Sequence, residues 1–387
     1  MKILHVLSSL DPQDGGVSQA VKTIVSEYSW SNNQIHEVIC SNEENQDFLK
    51  NLNFVVYPLG SSISPWKFNL RLFTWLRYHL YEYQVVIMHG LWHFQSYALF
   101  KVLSENNLRN PKFFIMPHGM LDPYFQRAKD RKLKAFRNLF FWRFFENKVI
   151  NFSDGLLFTC EQEKLLAHET FKKYFPKNQF VVGLGVGTPP RLEFSMQEAF
   201  RNVINIRNNS FILYLSRIHP KKGLDMLIES YIQLKREGNS LPDLVIAGPG
   251  LETAYGKGLL EKAVEQIHFP GMLEGVAKWG AFYGCEAFIL PSHQENFGIA
   301  VVEALACGKA VLISDQVNIW KEIQECGGGI VDKDTLEGTY NMLKRWLSLS
   351  LEERQQMGYQ ARWTYINHFS VEKAEIKMGE VLNLEIQ

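Results

Sequence analysis

The chain has 387 residues, 46% hydrophobic and 21% charged, with a formal net charge of +0 at pH 7. That length exceeds one ordinary hydrophobic core and predicts two domains of roughly 150–200 residues each. The balanced composition excludes a collagen-like, low-complexity or disordered chain, and the neutral charge gives no global footprint for nucleic acid. The five cysteines, Cys40, Cys160, Cys285, Cys307 and Cys326, are odd in number and widely spaced. They argue against a disulfide framework or zinc site and for a reducing compartment. The apolar start, KILHVL, is of strand length, so no signal peptide is expected. No apolar run reaches the ~18–20 residues of a membrane span. The expectation is a cytoplasmic protein, with peripheral contact at the inner face of a membrane left open.

In chain order, strands are expected at 2–7, 36–40, 53–59, 83–90, 112–119 and 154–159, then at 210–217, 242–250, 285–292, 309–314 and 327–332. Several are continuous apolar runs, as in parallel strands covered on both faces. Their alternation with helical stretches implies βαβ units and doubly wound sheets. The break between halves falls at GLGVGTPPRLEF (183–194), rich in glycine and proline. GLGVG imitates a dinucleotide fingerprint, but Thr188, Pro189 and Pro190 follow where a helix would be required. In open α/β sheets ligands bind outside the carboxyl ends of strands, so the stretches that follow strands matter most.

The first is SSLDPQDGGVSQ, where Gly15 and Gly16 precede a helix and give backbone amides access to phosphate. Many α/β proteins begin this way. Next, MHGLWH places His89 and His93 beside a turn, and IMPHGM places His118 at a strand end with Gly119 opening a turn. A lone histidine is more often structural, and each is only a candidate substrate contact. Residues 124–149 then carry eight Lys/Arg against two acids, interleaved with seven Phe/Trp and one Tyr. Such a stretch fits either an anionic membrane surface or a basic helix with its aromatics in the core. In the second half, LSRIHPKKGL sets Arg217 after a strand and Lys222 five residues on. Two cations converging on one strand end suit a diphosphate; a solvated basic turn is the plainer alternative. Finally, HQENFGIAVVE brackets the expected helix start near Phe297 or Gly298 with Glu295 and Glu303. As eight helical steps the pair would span ~12 Å. Carboxylates accept strong hydrogen bonds from sugar hydroxyls, and amides of Asn296, Phe297, Gly298 and Ile299 would face phosphates at the helix start. An acidic first turn stabilised by the helix dipole is the alternative.

Together these stretches resemble the nucleotide-sugar-dependent, retaining glycosyltransferases of the GT-B fold, family four (glycosyl transferases group 1). The resemblance covers most of the chain and is strongest from about Phe211 to Asp332. It rests on ENFGIAVVEA for the family's E-x-F-G-x-x-x-x-E-A, RIHPKK for its R-x-x-x-x-K, the glycine pair after the first strand and the strand-end histidine. Lys309–Ala310 departs from the family's usual pair. The resemblance implies two facing doubly wound Rossmann-like domains with an interdomain cleft. Residues 1–187 would form the acceptor-side domain and 188–364 the nucleotide-sugar domain, with a C-terminal helix of about 365–387 packing back on the first.

It further implies that Arg217 and Lys222 bind the donor diphosphate. Glu303 would hold the ribose hydroxyls, Glu295 the transferred sugar and Gly16 the phosphate, while His118 would contact the sugar near the reacting carbon. The backbone around Met272 in FPGML would read the base, and Glu252 would reach the nucleotide. The glutamates are then binding groups, unlike the carboxylate pair of retaining glycosidases.

The expected enzyme moves a sugar, with retention, from a UDP- or GDP-sugar co-substrate to a saccharide or lipid-linked saccharide in cell-surface polysaccharide synthesis. It needs no other cofactor and, lacking an Asp-x-Asp at a strand end, no metal; no nucleic-acid partner is expected. The alternatives are a nucleotide-sugar epimerase of the same fold or a non-catalytic nucleotide-sugar-binding module.

Overall fold

Apolar runs such as VVIMH, LVIA and AVLIS become strands buried along their whole length, because helices cover both faces of each sheet. The computed structural model describes residues 1–30, 34–50, 52–105, 111–128, 131–204 and 210–384. Two compact units divide the chain: Met1–Gly187 with Val371–Gln387, and Thr188–Ser370.

In the first unit the strands are β1 (Lys2–Val6), β2 (Ile35–Cys40), β3 (Val55–Pro58), β4 (Val85–His89), β5 (Lys112–Met116), β6 (Gly155–Phe158) and β7 (Gln179–Val181). They form a seven-stranded parallel sheet in the order β3-β2-β1-β4-β5-β6-β7. The C-terminal helix Val371–Leu384 belongs to this unit. Its residues Ala374, Met378 and Leu382 are buried, and Glu375 accepts from the Ser29 amide at 3.0 Å. Residues 365–370 stay with the second unit, where Tyr365 and Phe369 are buried.

The second unit contains β8 (Phe211–Leu215), β9 (Asp243–Ala247), β10 (Ile267–Gly271), β11 (Ala287–Leu290), β12 (Ala310–Ser314) and β13 (Gly329–Asp332). Their parallel order is β10-β9-β8-β11-β12-β13. Two strands have no counterpart among the sequence-derived ones, and both are sheet edges. β7 is three half-buried residues, and β10 carries Pro270 and Gly271 with a register shift between His268 and Gly271. Edge strands tolerate such residues, which hides them from pattern reading.

Candidate functional site

In the second sheet the chain leaves β8 toward β9 on one side and continues through β11 on the other. The carboxyl ends of β8 and β11 are therefore the topological switch point where open α/β sheets bind ligands. The loop after β8 contains a single turn, Pro220–Lys222, with the His219 ring accepting the Lys221 amide at 3.1 Å. Gly223 follows with φ 68°. A Cβ there would stand 2.0 Å from the Pro291 carbonyl oxygen, so only glycine lets this turn lie against the end of β11. The two loops are stitched: the His293 amide donates to the Lys221 carbonyl at 2.8 Å, and the Ser292 hydroxyl donates to the same carbonyl at 3.1 Å. The loop after β12 holds the other side. The Glu295 amide donates to Gln316 and its carbonyl accepts from the Asn318 amide, both at 2.9 Å.

This clamp puts Lys222, only 5% exposed, in direct ion pair with Glu295. Burial opposes ionisation of Glu295. The charges of Lys222, Lys221 and Arg217 outweigh it and hold its carboxyl below the usual carboxylate range. Arg217 lies two residues beyond the end of β8 rather than on it, with its side chain exposed.

The helix after this loop, Ile299–Ala306, starts one residue later than expected, behind left-handed Gly298 at φ 74°. The first amides of a helix have no intrahelical acceptor, and helix starts of this kind are able to receive an anion. Phe297 is buried and packs edge-to-face on Phe369 at 5.7 Å, which leaves only its backbone for a ligand. The Asn296 side-chain oxygen accepts from Asn318 at 3.3 Å. Glu303 accepts from Lys278 at 2.7 Å, and the Lys278 ammonium also lies 4.5 Å from the Trp279 ring centroid. Lys278 was missed by sequence reasoning. It sits on a different helix, 25 residues from its partner, where no spacing rule reaches. Met272 is exposed just beyond β10, and Glu252 is exposed. Among the described residues no group of three or more His, Cys, Asp or Glu is placed to hold a metal ion. A concavity of 1090 Å³ in this unit lies where β11 and β12 begin, lined by Glu286, Lys309 and Arg354. It is at the other end of the strands from the candidate residues.

In the first unit Gly15 has φ 101° and caps the helix Gly16–Ser26; a Cβ at either glycine meets open space. His118 lies two residues past β5 in the left-handed region, φ 52°. Outside glycine that conformation is uncommon and marks constrained sites. The Gly119 amide beside it donates to Glu163 at 2.5 Å. His89 adjoins a bend, as expected, with Gly90 at φ 80°. It ends β4, fully buried, with its ring nitrogens against His5 and His118. His93 is half-buried, and desolvation pushes it down to about 4.

Residues 124–149, apart from 129 and 130, which lie outside the described residues, divide their aromatic side chains between the core and the surface. Trp142 is buried in the core, and Phe141 and Phe145 pack on Trp66. Leu133, Phe136, Leu139, Phe140 and Phe144 are exposed, Leu133 at 89%. Exposed Lys132, Lys134, Arg143 and Lys148 stand beside them. No described helix is long and apolar enough to cross a membrane.

Residues 196–364 match the family model described as "Glycosyl transferases group 1". One similar curated protein is the N,N'-diacetylbacillosaminyl-diphospho-undecaprenol alpha-1,3-N-acetylgalactosaminyltransferase of Campylobacter jejuni. It is 30% identical over 33% of this chain and 32% of its own. Another is a D-inositol 3-phosphate glycosyltransferase of Jonesia denitrificans, 27% identical over 49% of this chain and 47% of its own. The chain thus spans about a third to a half of the curated relatives it matches. Among solved structures, Anabaena HepE in complex with UDP aligns over 99% of this chain and 100% of its own. Its TM-score is 0.76 and its identity 16%, a likeness of fold.

Proposed function

We propose that the chain, whose residues 196–364 match the group 1 glycosyl transferases, is an enzyme of that family and transfers a sugar from a nucleotide-diphosphate donor to a saccharide or lipid-linked acceptor. The observation that carries this reading is the convergence at the β8/β11 switch point. A buried ammonium, Lys222, meets the Glu295 carboxylate there, at the loop that runs into the Gly298 helix turn. In this reading Lys222, Arg217 and the amides around Gly298 take the diphosphate, which suits a leaving group whose negative charge grows as the glycosidic bond breaks. Glu295 and Glu303 take sugar and ribose hydroxyls. From the sequence motifs, Gly16 is assigned the phosphate, His118 the transferred sugar and the backbone around Met272 the base. Transfer proceeds with retention, the departing phosphate accepting the proton of the incoming hydroxyl.

The donor is a UDP-sugar, the base in the HepE complex, with GDP-sugars next. The lipid-linked acceptor draws support from the Campylobacter relative, whose name contains diphospho-undecaprenol, and from the apolar and basic face over 132–148. That face suits the inner, anionic surface of a membrane. The deciding experiment measures nucleotide release from a panel of UDP- and GDP-sugars, with and without undecaprenyl-diphosphate saccharides and with EDTA. Acceptor-dependent release that survives EDTA is expected. Tight nucleotide binding with no turnover on any donor and acceptor would instead make the chain a binding module.

A further inference from the structure

A line of four histidines crosses the first sheet. His36 Nδ1 lies 2.9 Å from His5 Nε2, His5 Nδ1 lies 2.9 Å from His89 Nε2, and His89 Nδ1 lies 3.0 Å from His118 Nε2. The strand register explains the line. His36 pairs with Ile3, and His5 is two residues further; His5 pairs with Ile87, and His89 is two further; His89 pairs with Met116, and His118 is two further. Each step moves one strand across and two residues toward the carboxyl edge, so all four positions keep to one face. Successive rings stack with centroids 5.2, 5.2 and 5.3 Å apart. Trp30 closes the far end by stacking on His36 at 4.1 Å.

Burial holds all four rings neutral, with His36 pushed down to about 3 and His118 to about 4. A neutral imidazole has one N–H and one bare nitrogen. Each link therefore dictates the next, and only two arrangements of protons satisfy all three hydrogen bonds. His36 Nε2 is buried and has no partner among the described residues. Placing the proton there would bury an unpaired N–H, which folded proteins avoid. The proton then sits on His36 Nδ1, and every ring donates through Nδ1 to the Nε2 of the next.

We propose that this array fixes His118 as an Nδ1–H donor at the carboxyl end of β5, with His36, His5 and His89 acting as positioning residues. The group that takes this N–H, a sugar hydroxyl or phosphate oxygen, rests on the glycosyltransferase reading; the array itself does not. Selective ¹⁵N-histidine labelling with two-bond ¹H–¹⁵N correlation reads each tautomer directly. The expected wild-type result is Nδ1–H at all four rings, the minor form of free neutral histidine. An Nε2–H signature at His5 or His89 overturns the proposal, and this measurement decides it even if no variant folds.

His36→Asn can still donate from the place of Nδ1 and should keep Nδ1–H at His5, His89 and His118, and keep transfer. His36→Asp can only accept there, and should reverse every ring and turn His118 Nδ1 into an acceptor. Transfer should then fall about tenfold while nucleotide affinity stays within about twofold, the effect of one hydrogen bond to the sugar. Reversed tautomers with unchanged transfer overturn the link between array and reaction. Failure of the wild type to bind any nucleotide would instead sink the glycosyltransferase reading, with the tautomers unaffected.

Discussion

Lys222 and Glu295 stand 73 residues apart in the sequence and form a direct ion pair at the carboxyl ends of β8 and β11. If Lys222 binds the donor diphosphate as proposed, a ligand phosphate and Glu295 compete for the same ammonium. Glu295→Gln should leave Lys222 buried without its counter-charge and tighten free UDP binding by about tenfold, while sugar transfer collapses. Lys222→Ala should weaken UDP by about tenfold or more. Isothermal titration of both variants checks this; weaker UDP binding in Glu295→Gln would refute the competition.

Glu303 and Lys278 form the second pair of the site. If Glu303 holds ribose hydroxyls, Glu303→Ala should weaken UDP by about tenfold and 2'-deoxy-UDP much less, since the deoxynucleotide already lacks a hydroxyl that Glu303 would accept from. Lys278→Ala should cost about threefold, through loss of orientation alone. Equal losses for the ribose and deoxyribose nucleotides would remove Glu303 from the ribose.

The glycines rank by what surrounds them. Gly223→Ala combines a left-handed φ of 68° with a Cβ 2.0 Å from the Pro291 oxygen. It should destabilise by about 3 kcal/mol or more and disrupt the Lys222 turn. Gly298→Ala meets Val301 and Glu295 carbons at 3.1 and 3.2 Å and should cost about 1–2 kcal/mol, mostly backbone strain. Denaturant unfolding of both variants tests the order.

His293 bonds Asp334, and that hydrogen bond, against partial desolvation, raises the His293 pKa above its ordinary 6.5. A raised folded-state pKa contributes stability that is full below 6.5 and is lost as pH climbs through the folded value. Melting temperature should therefore fall as pH rises from just below that point. Asp334→Asn should flatten this fall and lower stability on the acid side only. A slope unchanged in Asp334→Asn would assign the effect elsewhere.

The exposed face of Phe136, Phe140 and Phe144 makes its own prediction. Replacing all three with serine should change folding stability by no more than about 0.5 kcal/mol per site. Sedimentation with phosphatidylglycerol vesicles should fall by about tenfold or more, as apolar area is withdrawn from the interface. Equal sedimentation of the triple variant and wild type would exclude a membrane role for this face.

Local chemistry announces much of the architecture. Continuous runs such as VVIMH and AVLIS fit strands covered on both sides, and their alternation with helical stretches points to parallel sheets. Lys222, Gly298 and the two glutamates were also legible, because a glycine at a helix start and charges beside a strand end leave short-range marks; the tight contact that demands glycine at 223 was not. β7 and β10 left none, since a sheet edge relaxes the demand for apolar residues.

Partnership is what the sequence leaves undetermined. That Lys222 meets Glu295, that Lys278 meets Glu303, and that His36, His5, His89 and His118 touch in file depends on strand order and register. A linear pattern specifies which face a residue occupies; only the folded sheet specifies which residue from a distant strand shares that face, because adjacency across strands is set by packing of the whole unit rather than by any spacing along the chain.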